Sequence, residues 1–163
     1  MGTALSNGTA FDPAAATPAT AYAETTIRVR YAETDQMGVV YHANYLIWFE
    51  VGRVELLRSL GLPYQRLEEE FDCLIAVVGA ELRYRAPARY DDQIVVRTRL
   101  TQMRGPMMKI QYQVIREADE KLLCEGVTTH VVVNRAMEAR RLPESYESVF
   151  RDLLAQGAGP AEG

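Results

Sequence analysis

The chain has 163 residues, a formal net charge of −4 and 48% hydrophobic residues, enough for one compact domain with a core of its own and too little for two. The acidic balance excludes a protein whose main work is neutralising nucleic-acid phosphates, which needs a basic face. No apolar run approaches the roughly 20 residues that span a bilayer, and the N-terminus has no basic stretch followed by an apolar core, so a cytoplasmic protein with neither membrane span nor secretory signal is expected.

Residues 1–24 are rich in Ala, Thr, Pro and Gly with hardly a charge, a composition that cannot offset the entropy of ordering it, and they read as a flexible tail. Residues 157–163 read as a disordered C-terminus, leaving one domain over 25–156 with no internal linker or repeat. From Thr25, TTIRVRYAE alternates, with Ile27, Val29 and Tyr31 on one face and Arg28 and Arg30 on the other, as in a half-buried strand. The segment ANYLIWFEVGRVELLRSLGLP then spaces Tyr45, Phe49, Gly52, Leu56 and Leu60 by three or four, while Ile47, Val51, Val54 and Leu57 fill much of the remaining circumference. That predicts a long helix buried nearly all round, closed by Gly61 and Pro63. A short solvated helical turn is expected over Pro63 to Phe71.

From about Cys73 to Arg135 everything reads as strand: LIAVVGAELRYR, DQIVVRTRLTQM, KIQYQVIRE and LLCEGVTTHVVVN, with Leu74, Ala76, Val78, Ala80, Leu82 and Tyr84 expected on one side of the first. The short links APARYDD, RGP and EADEK predict consecutive hairpins and hence a four-strand antiparallel meander. LPESYESVFRDLLAQ reads as a terminal amphipathic helix starting at Pro143. The fold class is therefore α+β, a five-stranded antiparallel sheet around one long buried helix with a C-terminal helix added. Such a sheet leaves edges and apolar surface that a second copy covers, so a homodimer or a homotetramer built as a dimer of dimers is expected.

Cys73 and Cys124 exclude a disulfide scaffold by count and read as buried thiols. The two histidines, His42 and His130, form no HxxxH pair and there is no CxxC, so neither a metal site nor a cofactor is expected. His130, in a β-branched run, reads as a core or sheet-face residue. The chemistry must rest on carboxylates, hydroxyls, backbone amides or one imidazole.

The stretch YAETDQMGVVYHANY, from Tyr31 to Tyr45, places the carboxylate of Asp35 in a loop with Gly38, and His42 at the entrance to the buried helix. The first amides of a helix have no intrahelical acceptor and carry partial positive charge, so a carbonyl oxygen aimed there finds an oxyanion site, and a carboxylate beside it can serve as base or nucleophile. The same pattern also fits Asp35 and His42 as ordinary capping or packing residues.

The run YAETDQMGVVYHANYLIWFEVGRVELL resembles the N-terminal motif of the hotdog-fold acyl-CoA thioesterases, in particular the 4-hydroxybenzoyl-CoA thioesterase-like family and its Tol-Pal-associated branch. Asp35, Gly38, Val40, Tyr41, His42, Asn44, Tyr45, Glu50, Arg53 and Glu55 follow in the family's order, and the likeness extends to about Tyr146 through YRAPARYDD. The resemblance implies a hotdog fold, Asp35 as the catalytic carboxylate, and the amide at His42, beside Tyr41, as the group that polarises a thioester carbonyl. His42 stands where 4-hydroxybenzoyl-specific members carry Tyr, which implies short-chain or broad acyl thioesters. Gly38, Val40 and Glu50 are candidates for the substrate site, Glu50 either as a supporting anchor or as the catalytic acid itself. The CoA phosphates need local cations: Arg83, Arg85 and Arg89 around YRAPARY, or Arg104 with Lys109. The expected reaction is hydrolysis of acyl-CoA; the alternatives are a thioesterase acting on carrier-protein-bound acyl chains and a non-catalytic acyl-CoA sensor.

Overall fold

The computed structural model describes residues 22–157. Nearly all of the expected tail and C-terminus lie outside the described residues. The elements run β1 (Ala23–Arg28), a 3-10 turn (Tyr31–Glu33), α1 (Asn44–Ser59), α2 (Tyr64–Phe71), β2 (Leu74–Tyr84), β3 (Gln93–Arg104), β4 (Met107–Arg116), β5 (Lys121–Val133) and α3 (Glu144–Gly157). β1 thus begins two residues before Thr25, and Gly157 closes a helix. The strand also stops earlier than the alternation suggested: Val29 is buried, but Tyr31 belongs to the 3-10 turn and is 78% exposed.

One antiparallel sheet contains all five strands in the order β1-β3-β4-β5-β2. The meander expected over four strands holds only for β3, β4 and β5. β2 pairs with β5 at the opposite edge, and β3 takes β1 as its other neighbour. The link over 85–92 therefore crosses from the edge strand β2 past β5 and β4 to β3 instead of closing a hairpin. The alternation expected along β2 also breaks. A bulge between Val77 and Gly79 puts Ile75 and Val77 on the same face as Ala80, Leu82 and Tyr84, and turns Leu74 and Ala76 to the other.

The face bearing Ile94, Val96, Thr98 and Leu100 of β3 and Ile110, Tyr112 and Val114 of β4 is buried against α1, as the period of two requires. α1 lies close because two glycines permit it. A Cβ at Gly52 would overlap Thr98 Oγ1 and stand 2.9 Å from Val96 Cγ1, while one at Gly126 of β5 would stand 2.6 Å from the Phe49 ring. Phe49 instead stacks on Tyr112, with centroids 4.3 Å apart and planes 6° from parallel. α3 buries Tyr146, Phe150 and Leu153, and the Tyr146 hydroxyl donates to Pro63 O at 3.3 Å.

Burial of α1 is one-sided within the chain. Tyr45, Trp48, Phe49, Leu56 and Leu57 are buried, whereas Leu46, Ile47 and Val51 are exposed, which corrects the expectation of a helix covered all round. Cys73 and Cys124 are buried free thiols, and burial, reinforced by Glu125, pushes the Cys124 thiol up to about 12. No helix among the described residues is long and apolar enough to cross a membrane.

Candidate active site

The site is built on a small loop between the 3-10 turn and α1. Asp35 and Val39 face each other across it: the Asp35 amide donates to Val39 O at 2.8 Å, and Thr34 bridges Val40. Gly38 closes the loop with φ of +75°, donating to Asp35 O at 3.0 Å, a conformation that favours glycine. The Asp35 carboxylate is half-buried, and its Oδ1 accepts from the amides of Met37 at 2.8 Å and Val39 at 3.4 Å. Its Oδ2 has no hydrogen-bond partner among the described residues. One carboxylate oxygen fixes the side chain and the other is available for chemistry.

The loop runs directly into the start of α1. The Val40 amide donates to Ala88 O at 2.8 Å, tying the loop to the link after β2, and the Tyr41 amide donates to Glu33 O at 2.8 Å. Asn44 Nδ2 donates to that same Glu33 carbonyl at 2.8 Å. The Asn44 amide turns back to Tyr41 O at 3.0 Å. Among the described residues, the amides of His42 and Ala43 have no acceptor, so two donors with the helix behind them point away from the backbone. The His42 side chain is exposed, with its ring 4.4 Å from that of Tyr41, itself 48% exposed.

Glu33 holds this arrangement from within and was not singled out in the sequence. It is 5% exposed; Oε2 accepts from the Arg30 amide at 2.8 Å and Oε1 from Trp48 Nε1 at 3.0 Å and the Arg30 guanidinium at 3.3 Å. Burial pushes the carboxyl up, but donation by the Arg30 amide, the Trp48 indole and the Arg30 guanidinium outweighs it and holds the carboxyl below its ordinary value. The sequence signal was an acidic residue beside the lone tryptophan's helix, too weak to find without the fold. Tyr84, at the end of β2, was missed in the same way. Its hydroxyl donates to His42 O at 2.9 Å, and burial, with Cys124 nearby, raises the hydroxyl's pKa.

The remaining candidates divide by position. Val40 is 5% exposed and serves as a core anchor of the loop, not a surface for substrate. Glu50 is exposed on the outer face of α1 and has no hydrogen-bond or ion-pair partner among the described residues. The cations around YRAPARY adjoin the loop through the Val40–Ala88 and Tyr84–His42 bonds. Arg85 is not free, because it pairs with Glu125 at 2.8 Å; Arg83 and Arg89 have exposed side chains with no partner among the described residues. Arg104 and Lys109 line a groove of about 270 Å³ with Met107 and Met108 at the β3–β4 turn. That turn is at the opposite end of the 12-residue strand β3 from the residues that pair with β1 just before the Asp35 loop. No group of three or more His, Cys, Asp or Glu side chains able to hold a metal is present among the described residues.

Comparison with known proteins agrees with this architecture. Residues 29–151 match the thioesterase-like superfamily. The putative acyl-CoA thioesterase YneP of Bacillus subtilis is 40% identical over 109 residues, covering 67% of this chain and 78% of its own. The acyl-CoA thioester hydrolase YbgC of Escherichia coli is 36% identical over 126 residues, covering 77% and 92%. The crystal structure of the DHNA-CoA thioesterase of Staphylococcus aureus superposes with a TM-score of 0.79 at 28% identity, covering 82% of this chain and 91% of that one. The chain belongs to the thioesterase-like superfamily. It is a hotdog-fold enzyme that hydrolyses thioesters.

Proposed function

We propose that the substrates are acyl-CoA thioesters, with Asp35 as general base or nucleophile and the amides at His42 and Ala43 as the oxyanion site. The observation that supports this most directly is the pairing on one loop of a carboxylate whose Oδ2 is unpartnered with backbone donors that have no acceptor. In the general-base route, Asp35 Oδ2 takes a proton from water as its oxygen bonds to the thioester carbon. The carbonyl oxygen, now negative, is held by the amides; the C–S bond then breaks, and CoA thiolate leaves without needing a strong acid. In the nucleophilic route, Oδ2 attacks the same carbon, the C–S bond breaks to expel CoA thiolate, and water opens the resulting mixed anhydride to release the acid and restore the Asp35 carboxylate. The relatives' names support CoA as the carrier, and Arg83 and Arg89 are the cations placed to meet its phosphates.

The working unit in this reading is a homodimer. β2 is an edge strand with a free side, and its Val77 is 52% exposed. A second copy pairing along that edge would cover this side chain.

The test is Asp35→Asn, assayed by release of free thiol from a series of acyl-CoA esters. Turnover should fall by about 100-fold or more. Turnover near that of the wild type would remove Asp35 from the chemistry. Binding of acyl-CoA by the wild type with no thiol release would mark a sensor, and faster release from acyl-carrier protein than from acyl-CoA would make the carrier protein the substrate.

A further inference from the structure

Tyr84 lies 42 residues beyond His42 in sequence and reaches it from a different element. The carbonyl oxygen of His42 and the N–H of Ala43 belong to one peptide plane, and the Tyr84 hydroxyl donates to that oxygen at 2.9 Å. In a regular helix the amide of Leu46 would fill this role, but Leu46 N donates to Ala43 O instead, at 3.2 Å. Tyr84 replaces the missing intrahelical donor. The neighbouring plane is held likewise, because Tyr41 O accepts from the Asn44 amide at 3.0 Å, which anchors the plane carrying the His42 N–H. Both unpartnered amides therefore sit on peptides whose carbonyls are tied back. A hydrogen bond to a peptide carbonyl draws charge from its N–H and makes it a stronger donor while fixing its direction.

The tyrosine is well placed to hold a plane still. Its ring meets Tyr45 edge-on, with centroids 5.2 Å apart, and Tyr45 is 2% exposed and packed on Trp48 at 4.8 Å. Tyr84 itself is 49% exposed, so removing its hydroxyl leaves no buried cavity.

We propose that Tyr84 is a positioning residue for thioester hydrolysis, orienting and polarising the His42–Ala43 peptide so that its N–H receives the developing oxyanion. This rests on the oxyanion site assigned above. The experiment compares Tyr84→Phe with the wild type and with Asp35→Asn on whichever of acetyl-, butanoyl-, decanoyl- and benzoyl-CoA the wild type turns over fastest. Tyr84→Phe should lower kcat by about tenfold, with KM within about twofold and the melting temperature unchanged, a split that looser packing would not produce. A second measurement is independent of Asp35: the infrared carbonyl band of the bound ketone analogue of that substrate, its sulfur replaced by CH2 and its carbonyl labelled with 13C. The band should move to higher frequency in Tyr84→Phe, reporting a weaker donor. Unchanged kcat with an unchanged band overturns the proposal, as does a loss confined to KM. If Asp35→Asn retains full turnover, the role of Asp35 falls, while the carbonyl band still decides that of Tyr84.

Discussion

Two buried ionisable side chains, His130 and Glu33, contribute to the acid sensitivity of this protein in different pH windows. His130 is fully buried, its Nε2 2.6 Å from Thr128 Oγ1 and its Nδ1 without a partner. Burial, with Arg53 adding to it, pulls its pKa down to about 4. The folded state thus binds the proton less readily than the unfolded chain, so stability present above about 6.5 is lost as pH falls towards 4. The loss is on the order of 3 kcal/mol. Glu33 works in a lower window: its folded value is depressed, so its contribution is present above about 4.5 and is lost as pH falls through that lower value. Urea midpoints measured from pH 7.5 to 4.5 should decline, and His130→Gln should flatten that decline; an equal slope in both proteins would contradict the assignment. At this scale the sequence motif exposed Asp35, Gly38 and His42 because they lie within eight positions of one another. Glu33 and Tyr84 escaped it because their partners are 15 and 42 residues away, separations that only folding brings together.

The placement of α1 depends on the absence of a side chain. Gly52 is where the helix crosses β3, and a methyl group there would overlap Thr98 Oγ1 and crowd Val96. Gly52→Ala gains helix propensity yet should destabilise the protein by about 1–3 kcal/mol, because the helix has to lift from a packed sheet. Since the N-terminus of α1 carries the candidate oxyanion donors, turnover should fall as well, and thermal denaturation with a thiol-release assay on the same sample measures both. The helix itself was legible from its spacing, as were the alternating faces of β3 and β4. The pairing of β2 was not. A link of eight residues over 85–92 can close a hairpin or cross the sheet to β3, and local sequence does not distinguish them. The choice is made where β1 takes the free side of β3 and β2 completes the sheet beside β5. The bulge at Val78 was hidden for a similar reason: an apolar run reads as regular alternation until its partners fix the register.

For the molecule as a whole, the proposed dimer explains why the edge strand β2 carries an exposed valine, Val77. Val77→Glu places a charge on that edge without touching the core, and light scattering should then show a monomer where the wild type shows a dimer or tetramer. A wild-type chain that is monomeric at micromolar concentration would remove the dimer from the proposal. The sequence by itself determined the number and kind of elements, the apolar faces of β3 and β4, and the loop that carries Asp35 into the start of a helix, because periodicity and short motifs are encoded locally. Tertiary structure alone decided that β2 lies beside β5, that Arg85 is already paired, that Arg104 and Lys109 stand at the far end of the sheet, and that Glu33 and Tyr84 brace the helix entrance. Those facts depend on contacts between residues distant in the chain, which burial and hydrogen-bond satisfaction select only when the whole sheet closes over α1.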